Sequence, residues 1–69
     1  MVEISELKEQ ALKELGVQLY SGKDELGEWA CYIVTDDSTL IDALEYDSYE
    51  TGSTELEAVQ NAIAKVRGA

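Results

Sequence analysis

Apolar positions repeat at helical spacing near both ends of the chain and alternate in between. Ile4, Leu7, Ala11 and Leu15 recur at i, i+3, i+7 and i+11, with Leu12 on the edge of the same stripe. That period predicts an amphipathic helix over residues 3–15. Lys8, Glu9 and Lys13 fall on its other side, and Glu9–Lys13 is a favourably oriented i,i+4 pair. Glu3 and Glu6 suit the positive end of the helix dipole, and Gly16 is a natural stop because glycine accepts the left-handed conformation. From 17 to 21 the pattern changes to alternation, Val17 and Leu19 against Gln18 and Tyr20, which predicts a short strand. Gly22-Lys23-Asp24-Glu25-Leu26-Gly27 is a turn bounded by glycines. Over 28–35, Trp29, Cys31 and Ile33 point one way and Ala30, Tyr32 and Val34 the other. Both faces are apolar, so this strand is expected at the centre of its sheet.

Asp36-Asp37-Ser38-Thr39 has hairpin-loop chemistry, since Asp and Ser make local turn hydrogen bonds. Residues 40–50 admit two readings. As a strand, Leu40, Leu44 and Tyr46 share a face broken by Asp42, and Tyr46, Ser48, Tyr49 and Thr51 favour extended backbone. As a helix capped at Ser38, Leu40, Ala43 and Leu44 cluster. The strand is preferred. A second long helix is predicted over 54–67: Thr54-Glu55-Leu56-Glu57 forms a capping box, and Leu56, Val59, Ile63 and Val66, widened by Ala62, form its apolar stripe. Lys65 and Arg67 sit at the negative end of its dipole, and Gly68 ends it. The expected order is α-β-β-β-α. Short connections give a three-stranded antiparallel meander, with both helices on one face of a two-layer α+β domain spanning residues 1–69. The other face must meet solvent or a partner.

Composition adds a strong constraint. The 69 residues carry a formal charge of −10, with fifteen acids, five bases, no His and one Cys. Neutralising nucleic-acid phosphates takes Lys and Arg, and anionic membranes ask for the same, so neither is an expected partner. One Cys excludes an internal disulfide. No apolar run approaches the roughly 20 residues of a membrane span. Met1-Val2-Glu3-Ile4 lacks the basic flank and apolar stretch of a secretory signal. A cytoplasmic protein is the expectation, in the host cytoplasm if phage-encoded.

The charge is local. From Asp24 to Ala64 there are eleven acids and no base, whereas the remainder holds four acids against five bases. Such a field costs stability through self-repulsion but aids solubility and long-range steering. Uniform solubilisation does not require this concentration; a binding face does. Catalysis is not expected. The usual near-neutral base is missing with His, and no basic neighbour in sequence activates Cys31. Asp36-Asp37-Ser38-Thr39-Leu40-Ile41-Asp42 lacks the ligand spacing, central Gly and terminal Glu of an EF-hand loop, so no metal and no cofactor are expected. Tyr20, Tyr32, Tyr46 and Tyr49 all fall on predicted strands, where some rings should reach the open face or its rim. Tyr is favoured at interfaces for its rigid area and polar tip. Tyr46 and Tyr49 interleave with Glu45, Asp47 and Glu50, so the expected partner-binding strip is Asp36, Asp37, Asp42, Glu45, Asp47 and Glu50 as phosphate surrogates, with Tyr46 and Tyr49 as anchors.

Gly52-Ser53-Thr54 leading into Glu57-Ala58, with Ala62 through Val66 beyond, in an α-β-β-β-α order, resembles a double-stranded RNA-binding domain. The resemblance implies the fold. It does not extend to RNA binding: the family's phosphate-holding lysines at the start of the last helix are Glu55 and Glu57 in this chain, and its groove-reading first hairpin loop is Gly22-Lys23-Asp24-Glu25-Leu26-Gly27. The segment from Gly52 through Ala58 also resembles the start of a helix in HicB-type antitoxins, which implies a toxin-neutralising role. In kind, a small acidic domain without catalytic equipment is similar to phage inhibitors such as anti-CRISPR proteins and other DNA mimics, which share no motif. A duplex presents one negative charge per roughly 1.7 Å of axis, and carboxylates on a rigid sheet can occupy a groove built for phosphates. The expected function is a non-enzymatic inhibitor, monomer or homodimer, that blocks a basic nucleic-acid-binding protein such as a CRISPR effector. The alternative is an antitoxin-like or adaptor module whose charge serves solubility.

Overall fold

A computed structural model describes residues 3–44 and 48–69. The chain runs α1 (Ile4–Leu15), β1 (Gln18–Lys23), β2 (Trp29–Val34), α2 (Ser38–Leu44), β3 (Tyr49–Gly52) and α3 (Glu55–Gly68). The sheet is antiparallel in the order β1-β2-β3, so the strand with two apolar faces is central. The two long helices pack on one side of it, giving a two-layer α+β domain.

The ends of α1 and α3 follow from local chemistry. Gly16 takes φ 69° after α1, and its N–H donates to the Leu12 carbonyl at 3.2 Å. Only glycine adopts that conformation without strain. Thr54 caps α3, its hydroxyl accepting from the Glu57 N–H at 3.1 Å, which is the hydroxyl half of the capping box. The β1–β2 turn is built on Asp24: its Oδ1 accepts from the Leu26 and Glu28 N–H groups, both at 2.9 Å, and Gly27 supplies the positive φ of 84°.

Residues 38–44 correct the preferred reading of 40–50 as one strand. They form α2, and β3 is confined to Tyr49–Gly52. The cause is Asp37, one residue before the expected cap. Its Oδ1 accepts from the Thr39 N–H at 3.0 Å and the Leu40 N–H at 3.3 Å, and its carbonyl accepts from Ile41. Helical spacing then buries Leu44 and packs Leu40 against the core. The meander survives, because the Ile33 N–H donates to the Ser48 carbonyl at 2.7 Å and β3 pairs with β2. Glu45, Tyr46 and Asp47 lie outside the described residues.

The core lies between sheet and helices. Leu19, Cys31 and Ile33 face Ala11 of α1 and Ala58, Val59, Ala62, Ile63 and Val66 of α3, with Val17 and Leu44 closing its margins. The small residues of α3, Ala58 and Ala62, are fully buried and let the helix lie close on the sheet. No helix among the described residues is long and apolar enough to cross a membrane.

Candidate binding face of the sheet

Because side chains alternate along a strand, the register decides what the face opposite the helices displays. Tyr20 pairs with Tyr32 and Tyr32 pairs with Tyr49. One tyrosine from each strand therefore forms a straight row across the sheet. The rings are exposed at 56, 51 and 46% for Tyr20, Tyr32 and Tyr49. Tyr32 and Tyr49 have centroids 5.7 Å apart at a 34° tilt, within the range where aromatic pairs attract. The Tyr20 hydroxyl donates to Gln18 Oε1 at 2.8 Å. Val34, two residues along β2 and on the same face, is 48% exposed. Beyond it a shallow hollow lined by Val34, Ile41, Leu44 and Ser48 carries apolar surface on to α2.

Carboxylates gather at both ends of the strands. The β1–β2 turn holds Asp24, Glu25 and Glu28, all exposed, and Glu28 shares a concave patch with Glu57 at the start of α3. At the other end are Asp36 in the loop after β2, Asp37 at the cap of α2, and Asp42 on α2, all exposed. The strip expected from sequence is thus only partly assembled. Asp36, Asp37 and Asp42 share one end of the molecule, and Asp37 already accepts two amide hydrogens of α2. Glu50 adjoins Tyr49 but points to the helix side, where Lys65 Nζ lies 3.3 Å from its Oε2. Glu45, Tyr46 and Asp47 fall outside the described residues. Tyr20, Tyr32 and Val34 complete the face and were not in the expected strip. The signal for the tyrosines was their parity on β1 and β2, but parity becomes a row only when the turn fixes the register.

Cys31 faces the core and is inaccessible to solvent. Burial pushes its thiol pKa above the ordinary 9.0; the charge of Lys8 works against this shift and that of Glu55 with it. An acid group with a raised folded-state pKa lends stability that is intact below its unfolded pKa and is lost as pH rises through the folded one. The native chain is therefore expected to lose stability more steeply than Cys31→Ala as pH rises above the ordinary thiol value, read from urea midpoints. Parallel profiles would show that the thiol does not contribute. Among the described residues no group of three or more His, Cys, Asp and Glu is placed to hold a metal ion. No protein-family model, no curated protein and no solved structure matches the chain.

Proposed function

We propose that this chain is a small, non-enzymatic binding protein that docks the open face of its sheet on a basic surface built for nucleic acid, and thereby inhibits its partner. A CRISPR effector is the concrete instance. The supporting observation is the exposed row Tyr20–Tyr32–Tyr49 on the face opposite the two long helices, with acids at both ends of the strands. Three half-exposed rings offer rigid area with polar tips. The carboxylates at either end meet Lys and Arg that otherwise hold phosphates, and the field of a chain at −10 accelerates encounter.

The test starts with capture of a partner from lysate and its identification by mass spectrometry. Affinity for that partner is then followed from about 0.05 to 0.5 M salt, where screening shortens the reach of exposed charges severalfold. A steep loss is expected. The triple variant Asp36→Asn, Asp37→Asn and Asp42→Asn is expected to bind at least about tenfold more weakly with an unchanged circular dichroism spectrum, because Asn still caps a helix. A flat salt response and an unaffected triple variant would sink the mimicry and leave a module whose charge serves solubility.

A further inference from the structure

The two edges of the sheet are not alike. In an antiparallel ladder, alternate residues turn their peptide groups to the neighbouring strand and those between turn them away. The Asp24 N–H donates to the Glu28 carbonyl at 2.8 Å. Counting back along the register, Gln18, Tyr20 and Gly22 address β2, while Leu19, Ser21 and Lys23 point outward. On β3 the bond from Ile33 to Ser48 sets the phase, and Tyr49 and Thr51 point outward. That edge is four residues long and partly closed, since Asn61 Nδ2 of α3 donates to the Thr51 carbonyl at 2.9 Å. The β1 edge is six residues long, with no proline and no acid. Among the described residues no hydrogen bond reaches the outward peptide groups of Leu19, Ser21 or Lys23. Proteins normally blunt such an edge with charge, proline or a bulge; this one has only Lys23 at its end.

Beside the edge runs a groove of about 310 Å³ between α1 and β1, lined by Lys8, Glu9, Leu12, Gln18, Leu19 and Tyr20. Leu12 is 47% exposed. A two-fold interface must be self-complementary, and this patch sets one cation, one anion and an apolar side chain side by side. It also belongs to the nearly neutral part of the chain, since the base-free stretch with its eleven acids starts only at Asp24. Of those acids Glu55 alone is hydrogen-bonded to β1 among the described residues, its Oε2 accepting from the Ser21 hydroxyl at 2.7 Å, so two copies of a strongly acidic protein meet little repulsion there.

We infer that the chain forms a homodimer by antiparallel pairing of β1 with β1 of a second copy, Tyr20 lying opposite Tyr20 of the second copy. The two-fold axis keeps each face on its own side, so only residues of like parity pair. Tyr20, whose peptide groups are committed to β2, occupies a non-hydrogen-bonded position, where facing side chains are closest. The outward groups of Leu19 and Ser21 bond across the axis, and Leu12 of each helix closes on the added strand. The row of three tyrosines becomes a row of six across a six-stranded sheet. An axis at Ser21 would instead set Tyr20 beside Gly22, with no ring to meet.

Sedimentation velocity and light scattering on the native chain up to about 300 µM are expected to show a dimer. Leu12→Glu crowds the groove with charge, and Ser21→Pro removes an outward N–H. Each is expected to raise the dissociation constant at least about tenfold with the fold retained by circular dichroism. With Cys31 buried, Tyr20→Cys is expected to give a disulfide-linked dimer under oxidised glutathione. Tyr32→Cys, similarly exposed but one strand inward, is not. A native chain that stays monomeric overturns the inference. So does a dimer indifferent to both groove and edge variants, or one that cross-links no better through position 20 than through 32. Partner capture reads out separately, so a dimer without a partner leaves this inference standing and counts against the docking face alone.

Discussion

Gly52→Ala is expected to destabilise the domain by about 3 kcal/mol, at the upper end of ordinary overpacking. Gly52 ends β3 on the side facing α3. A Cβ built there would sit 2.6 Å from the Ala58 backbone nitrogen and 3.0 Å from both the carbonyl carbon and Cβ of Glu57. A flexible side chain tip could swing away from such a contact, but the nearest atom here is backbone in the first turn of α3. Its N–H already donates to the Thr54 carbonyl at 3.0 Å. The helix must lift from the sheet, and Ala58, Val59 and Ala62, all fully buried, lift with it. A chain of this length has a total stability of roughly 3–10 kcal/mol, so the loss is a large share of the whole. Urea unfolding followed by circular dichroism checks it, with Gly22→Ala as control. Gly22 lies in β1 at negative φ with open space around its would-be Cβ. A Gly52→Ala midpoint as close to wild type as that of Gly22→Ala would show that α3 does not depend on this close approach.

The same contact shows what can and cannot be read from the sequence. Gly52-Ser53-Thr54 marked the start of a helix through its capping chemistry, and the helix begins there. That Gly52 must be glycine because Ala58 lies against it is a tertiary fact with no local signal. The long helices and two of the strands were legible because each has a sustained hydrophobic period, and the helices have a chemical boundary as well, Gly16 at the end of α1 and Thr54 at the start of α3. Residues 38–52 were not, because two periods share them: Leu40 and Leu44 at helical spacing, then Tyr49 and Thr51 at strand spacing. One label across 40–50 had to fail for one half. Asp37 made it harder, since a carboxylate that accepts backbone amides is equally a loop residue and a helix cap. For the candidate face, the expected strip joined Tyr49 and Glu50, although their opposite parity on a strand puts them on opposite faces. The pairing of Tyr20 with Tyr32 depended on the length and geometry of the Asp24–Glu28 turn, where a one-residue change flips every side chain to the opposite face.

If the open face docks the partner, Tyr32→Ala is expected to weaken binding more than any other single change on it, by about 30-fold or more. Tyr32 is the middle of the row, with Tyr20 on one side and Tyr49 on the other. Residues that dominate interfaces are aromatic, central and ringed by neighbours that exclude water, and their truncation commonly costs about 2 kcal/mol or more. The fold is expected to tolerate the change. Half of the Tyr32 surface is already exposed, and the lost ring pair with Tyr49 is worth about 0.5–1.5 kcal/mol. The effect should also have a kinetic signature unlike that of the acids. Loss of a desolvated ring speeds dissociation and leaves the salt slope unchanged, whereas neutralising Asp36 and Asp42 slows association and flattens that slope. Surface plasmon resonance across a salt series separates the two. A Tyr32→Ala protein that dissociates at the wild-type rate would place the docking surface off the sheet, since no partner can cover this row without meeting its centre.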